Sequence, residues 1–284
     1  MSTSSLALGD RRVTIINGGT QGLGEAVARR LASTTSAALV LVGRSEDKGA
    51  ALAASLIADG TPTIFVTADV SNVDAPAHIV DRCLAEFGTV HGLVNVAAST
   101  TRRTVFTDTV EHFDAMFAVN TRAPYFLVQA AVKEMVAGGI GGSIVNVGSV
   151  AGYGGQSKLT AYAMSKGALA VMTKNLAAGL MRHGIRVNQV NPGWMETDSE
   201  HITQTVHDGA AADWLALASA ERPFGRLVQP WEVANLIAFC LSPDAGLLTG
   251  AVIDVDQSVL GGGEPSVPGL SDTVWPVDPT DKLH

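Results

Sequence analysis

Seven short, nearly continuous apolar runs, rich in β-branched residues, recur along the 284-residue chain and limit its fold more than any other feature. They are Arg12–Asn17, Ala38–Gly43, Thr63–Ala68, Gly92–Ala97, Ser143–Val147, Arg186–Val190 and Val252–Val255. A strand that is apolar on both sides must be covered on both sides, which describes a parallel sheet between two helical layers. Helical patterns over Gly22–Ala32 and Ala50–Asp59 separate the first three runs. Because the runs continue through the chain, the reading is one doubly wound α/β domain over residues 11–263. A flexible N-terminus (1–10) and an extended C-terminal tail (264–284) flank it. With 46% hydrophobic and 16% charged residues, the chain can bury a core of that size.

Several function classes drop out early. A net charge of −8 gives no basic face for nucleic acid. The two cysteines, Cys83 and Cys240, stand apart and read as free buried thiols, and no His or Cys cluster has metal-ligand spacing. No apolar run is long enough to span a membrane, and Met1–Asp10 lacks the pattern of a signal peptide. The expectation is a cytoplasmic protein without metal, membrane or nucleic-acid partners.

The first chemical signal follows the first strand. Gly18, Thr20, Gln21, Gly22, Leu23 and Gly24 form a glycine-rich turn that leads directly into a helix. Glycines let the backbone approach a pyrophosphate, and the helix start offers unpaired N–H groups and the positive end of its dipole. After the second strand, where a carboxylate would bind the 2′-hydroxyl of NAD, the chain instead has Arg44 and Ser45. A guanidinium there suits a 2′-phosphate, so NADP(H) is preferred and NAD(H) is the alternative. Glu46 and Asp47, just beyond, and the absence of a basic residue from the glycine turn weigh the other way.

The second signal is Ser149, Tyr162 and Lys166. Tyr162 and Lys166 stand four apart, on one face of a helix, and Ser149 ends a strand upstream. A phenol with a free pKa near 10 is a poor base at neutral pH, whereas a neighbouring ammonium favours its phenolate. Ser149 would hold the substrate oxygen.

Together the G-x-x-x-G-x-G turn and the Tyr-x-x-x-Lys pair resemble the short-chain dehydrogenases and reductases, in the single-domain branch of about 250 residues. The resemblance implies a Rossmann-like seven-stranded sheet, hydride transfer between a dinucleotide and an alcohol or carbonyl compound, and a homotetramer or dimer. It implies that Asp69 and Val70 contact the adenine, and that Asn95 and Ala97 line the adenosine half. It implies that Asn120 holds a water of the proton relay and that Lys166 also bonds the nicotinamide ribose. It further implies that Pro192, Gly193 and Thr197 hold the carboxamide so that the pro-S face reacts. In this family the segment after Pro-Gly caps the substrate, which makes Trp194 a candidate pocket residue, with Gln156 facing it. The sequence departs from the family pattern at Asn17, at Ala98 and at Asp256-Gln257-Ser258. A non-catalytic dinucleotide sensor is the alternative, and a sugar-nucleotide epimerase or dehydratase a more distant one.

Overall fold

The computed structural model describes residues 11–34 and 37–258. Both terminal segments of the sequence reading, and the contacts expected of the tail, lie outside the described residues. The strands are β1 (Arg12–Asn17), β2 (Ala37–Gly43), β3 (Thr63–Thr67), β4 (Gly92–Asn95), β5 (Ser143–Val147), β6 (Arg186–Pro192) and β7 (Val252–Val255). They form one sheet in the order β3-β2-β1-β4-β5-β6-β7, with every neighbouring pair parallel.

Alternation along the strands divides the core in two. Ile16, Leu39 and Leu41 face a layer made by α1 (Gly22–Ala32), α2 (Glu46–Ala58) and α9 (Pro230–Leu241). Val13, Ile15 and Val40 face α3 (Ala75–Phe87), α5 (Ala123–Ala137) and α6 (Thr160–Leu180). Two further segments bear on the cleft: α4 (Val110–Phe117), which joins α5 through a wide π-type turn at Ala118–Arg122, and an excursion after β6. That excursion holds α7 (Asp198–Ile202), a second wide turn at Thr203–His207, and α8 (Trp214–Ala220). The chain order reverses between β1 and β4, and in open sheets ligands bind outside the carboxyl ends of strands at such a switch point.

Three element boundaries differ from the sequence reading by two residues or more, each for a local reason. Helix α2 begins at Glu46 rather than Ala50, because extended Ser45 starts it and two carboxylates favour its first turn. Gly49 fits there because a Cβ would stand 2.2 Å from the ring of Phe65. Strand β4 stops at Asn95 because the next two amides, of Val96 and Ala97, both turn to the carbonyl of Asn17, at 2.8 and 2.9 Å. Strand β6 runs on to Pro192 because β7 pairs with it that far.

Candidate active site

The glycine turn is shaped by its neighbours. The amides of Gly18 and Gly19 both donate to the carbonyl of Val42, at 2.9 and 3.0 Å, which ties the turn to the end of β2. A Cβ on Gly24 would lie 1.9 Å from the carbonyl oxygen of Gly18, so only glycine allows the helix to start so close to the strand. Gly22 has φ +53°, and a Cβ there would meet nothing nearer than Thr197 Cγ2 at 3.7 Å. The turn thus comes within about one carbon's width of Thr197, and Gln21 Nε2 donates to Ser199 Oγ at 3.1 Å. Gln21 places no side-chain cap on α1, which leaves its first amides free. An anionic pyrophosphate fits such a cradle.

The other dinucleotide candidates surround this turn. The side chain of Thr20 fills the space a Cβ on Gly43 would need. Leu23 is buried in the core and can offer only its backbone. Ser45 precedes α2 with its hydroxyl unused as a cap. Arg44 bears on Asp69, whose carboxyl is held below its ordinary pKa first by the hydroxyl of Ser71, then by its amide, and also by the Arg44 charge, against a small opposing effect of burial. Val70 lines a shallow apolar groove with Val73 and Phe126. Ala97 abuts Gly18, whose missing Cβ would stand 2.5 Å from the Ala97 nitrogen. The Gly193 amide donates to Val255 O at 2.9 Å, directly after Pro192 closes β6. Thr197 Oγ1 accepts the Glu200 amide at 3.1 Å, which leaves its O–H to donate.

Sequence reasoning missed Lys48. Its ammonium, on the first turns of α2, donates to Gln21 Oε1 at 2.8 Å. The turn holds no basic residue of its own, but α2 brings one to it. The signal was present, since Lys48 follows Arg44 by one helical turn.

The catalytic candidates converge from different elements. Ser149 follows β5, and its Oγ accepts the Ala151 amide at 3.1 Å. Tyr162 and Lys166 share one face of α6, with the ammonium 5.8 Å from the phenol ring centre. Lys166 is 3% exposed, and its Nζ donates to Val147 O at 2.7 Å. Burial lowers its pKa from 10.5 to about 8. Tyr162 keeps part of its surface open, but its hydroxyl lies deep in the protein, and burial raises its pKa. A hydrogen bond with Ser149 opposes that rise and the Glu200 carboxylate adds to it. Desolvation exceeds every attraction in this state of the protein, and the phenol stays protonated at neutral pH.

Asn120 is fully buried in the wide turn between α4 and α5. Its Oδ1 accepts the Ser99 amide at 2.7 Å, while its Nδ2 donates to Ser99 O at 2.9 Å and Ser165 Oγ at 3.0 Å. Neither serine was singled out in the sequence.

Beneath the site, a row of uncharged side chains crosses the sheet. Asn17 Nδ2 donates to Asn95 Oδ1 at 3.4 Å, Asn95 Nδ2 to Asn146 Oδ1 at 2.9 Å, and Asn146 Nδ2 to Thr173 Oγ1 at 2.9 Å. Thr173 continues to Gln189, and Gln189 Nε2 to Asn191 Oδ1 at 2.7 Å. The side chain of Asn95, expected to line the dinucleotide, is thus committed to the row.

Above the site lies the excursion after β6. Trp194 is part-buried, stacks on Trp214 at 6.0 Å, and donates its indole N–H to Glu200 Oε1 at 2.8 Å. His201 is exposed and accepts from Trp214 Nε1 at 3.1 Å. Arg102, on the loop after β4, ion-pairs with both Glu200 and Asp208 and straps this lid to the opposite wall. Gln156 sits exposed in its loop with no side-chain hydrogen bond among the described residues.

A doubly wound sheet with a glycine cradle at its switch point and a Ser-Tyr-Lys set beside it defines a dinucleotide-dependent oxidoreductase. A family model described as enoyl-(acyl carrier protein) reductase matches residues 18–259. Cis-4-hydroxycyclohexanecarboxylate dehydrogenase of Sinomonas cyclohexanicum is 32% identical, over 86% of this chain and 95% of its own. The NADP-dependent (R)-specific alcohol dehydrogenase of Lentilactobacillus kefiri is 31% identical, over 86% and 95%. Among solved structures, a short-chain dehydrogenase/reductase from Serratia marcescens BCRC 10948 superposes with a TM-score of 0.77 at 29% identity, covering 87% of this chain and 96% of that one. This chain belongs to the short-chain dehydrogenase/reductase family of oxidoreductases, whose members use NAD(P)(H).

Proposed function

We propose that this enzyme transfers hydride between NADP(H), with NAD(H) as the lesser cofactor, and a secondary alcohol or its ketone, with Tyr162 as the proton donor and acceptor. The convergence of Ser149, Tyr162 and Lys166 on one cleft carries the reading. The nicotinamide, when bound, supplies or takes the hydride. Ser149 orients the substrate oxygen, and the protonated phenol of Tyr162 donates to that oxygen as it gains charge. Lys166, fixed on Val147 O, holds a positive charge beneath the phenol and stabilises the phenolate as it forms. Asn120 sets the loop at Ser99 against Ser165 and holds the relay water. Gly18, Gly22 and Gly24 with the start of α1 take the pyrophosphate. Asp69, Val70 and Ala97 take the adenosine half, and Pro192, Gly193 and Thr197 take the carboxamide.

Arg44 and Lys48 together support a 2′-phosphate, in line with the name of the NADP-dependent Lentilactobacillus relative. Exposed Tyr125 and Phe126 on α5, with Met164 and Val171 on α6, support assembly into a homotetramer or dimer, which light scattering tests. Cys83 and Cys240, both free and buried, support action in the cytoplasm.

The test of the cofactor and of the site is a fluorescence titration with NADPH and with NADH, repeated on Arg44→Ala. Tighter NADPH binding that falls to the NADH level in the variant is expected. Equal affinity for both in the parent protein would return Arg44 to a solvated charge, and no binding of either would remove the hydride-transfer reading.

A further inference from the structure

The lid places a carboxylate in the catalytic cleft that proton transfer through Tyr162 does not require. Thr197-x-x-Glu200 has the spacing of a helix capping box, in which the acid normally turns back to the cap amide. Here only half of the box forms, because Thr197 Oγ1 accepts the Glu200 amide at 3.1 Å while the carboxylate turns inward. Its Oε1 accepts from Trp194 Nε1 at 2.8 Å, Gln204 Nε2 at 2.7 Å and Arg102 Nη2 at 3.0 Å. Its other oxygen, Oε2, accepts no hydrogen bond among the described residues, and the side chain keeps 18% of its surface exposed.

The position of this carboxylate is defined by its partners. Trp194 continues the Pro192–Gly193 wall, and Arg102 continues the loop that Asn120 anchors at Ser99. Glu200 therefore bridges the wall that follows Pro192–Gly193 and the loop at Ser99, the two walls of the cleft. Three donors on one oxygen fix the plane of the group and leave the lone pairs of the second oxygen in a set direction. A carboxylate only accepts, so it recognises a donor. Arg102 is shared between Glu200 and Asp208, so the cluster keeps one net negative charge around an oriented acceptor.

We infer that Glu200 determines substrate specificity: its Oε2 accepts a hydrogen bond from a second hydroxyl next to the reacting carbon, so neutral polyhydroxy substrates are preferred and oxo acids are disfavoured. This rests on the Tyr162-centred reading above. A pocket built to bond a hydroxyl discriminates strongly against the analogue that lacks it, because the pocket's own polar group is then left unpaired.

Three four-carbon ketones of matched skeleton test the inference: acetoin, butanone and acetoacetate, with NADPH and NADH. The parent enzyme is expected to favour acetoin over butanone about tenfold or more in kcat/KM, with acetoacetate lowest. In Glu200→Gln the three donors keep the amide oxygen and leave its NH₂ group facing the substrate. The acetoin preference then collapses and acetoacetate gains. The pH midpoint governed by Tyr162 moves down as well, because a charge that raises the phenol is gone; loss of packing alone would not move it.

An unchanged order among the three ketones in the variant overturns the inference and leaves the Tyr162 reading standing. If the parent enzyme turns over none of them, the function reading fails separately, and binding then decides the inference. Acetoin and butanone are titrated by tryptophan fluorescence onto Tyr162→Phe protein with NADPH present. Tighter acetoin binding supports the acceptor role, and equal affinities overturn it.

Discussion

Two polar networks enclose the same cleft and are built in opposite ways. The row beneath it consists of neutral side chains, with Asn17, Asn95, Asn146, Thr173, Gln189 and Asn191 each no more than 2% exposed. The strap above it is ionic and wetter, with Arg102, Glu200 and Asp208 exposed by 27%, 18% and 33%. Buried amides and hydroxyls that bond one another do not titrate and hold several strands in fixed positions. Charges in that row would have had to bear a large desolvation cost. On the lid they remain hydrated, and such pairs contribute little net stability, so the strap can open. Permanence is assigned to neutral groups below, and exchange with solvent to charged groups above.

The largest expected effect is at the group held between the two networks. Tyr162→Phe should lower kcat by about 10²- to 10⁴-fold without unfolding the protein, as steady-state kinetics beside a thermal melt would read. Next comes the row itself. Asn146→Leu strands the Asn95 amide, takes from the Thr173 hydroxyl the donor it accepts, and should cost about 2–4 kcal/mol in urea unfolding. A loss under about 1 kcal/mol would break the comparison, because the row would then be dispensable.

Lys166→Met is expected to act in the other direction. In the folded protein this amine titrates at about 8 instead of 10.5, so folding without bound dinucleotide disfavours its charged form. That corresponds to roughly 3 kcal/mol, less about 1 for the lost bond to Val147, giving a variant about 2 kcal/mol more stable at pH 7 and inactive. Between pH 8 and 10.5 the unfolded parent chain binds more protons than the folded one, so parent stability rises with pH. The advantage of the variant should therefore be full below pH 8 and, above 10.5, give way to a deficit of about 1 kcal/mol from the lost Val147 bond, which unfolding at pH 7, 9 and 10.5 would follow. The smallest effect on stability belongs to the strap. Arg102→Gln should cost under about 1 kcal/mol yet speed proteolysis within residues 194–224. A cost equal to that of Asn146→Leu would make the strap a structural member and erase the contrast.

The same contrast separates what the sequence disclosed from what it hid. Apolar runs mark strands because burial on two faces demands them, and Tyr162 with Lys166 is a local spacing. Both were legible. The row beneath the site was not, since its members sit in β1, β4, β5, β6 and α6 and meet only once the register is set. Lys48 and Arg102 were hidden for a similar reason, being ordinary charges until α2 meets the glycine turn and the lid meets the loop after β4. Glu200 left a partial trace in Thr197-x-x-Glu200, but the spacing reported a cap and not the inward turn of the carboxylate. The raised pKa of Tyr162 needed depth, which no spacing carries.

The wide turn at Ala118–Arg122 bears on how such a site can be gained or lost. A π-type turn closes its hydrogen bonds one residue later than an α-helix does, so this stretch behaves as a helix carrying a single inserted residue. Deleting one residue before Asn120 would let α4 and α5 merge into one regular helix, while rotating the asparagine by about 100° away from Ser99 and Ser165. Selection for helix regularity alone would remove that residue. Chain length at this one position, as much as the identity of the side chain, therefore decides whether the asparagine meets Ser99 and Ser165.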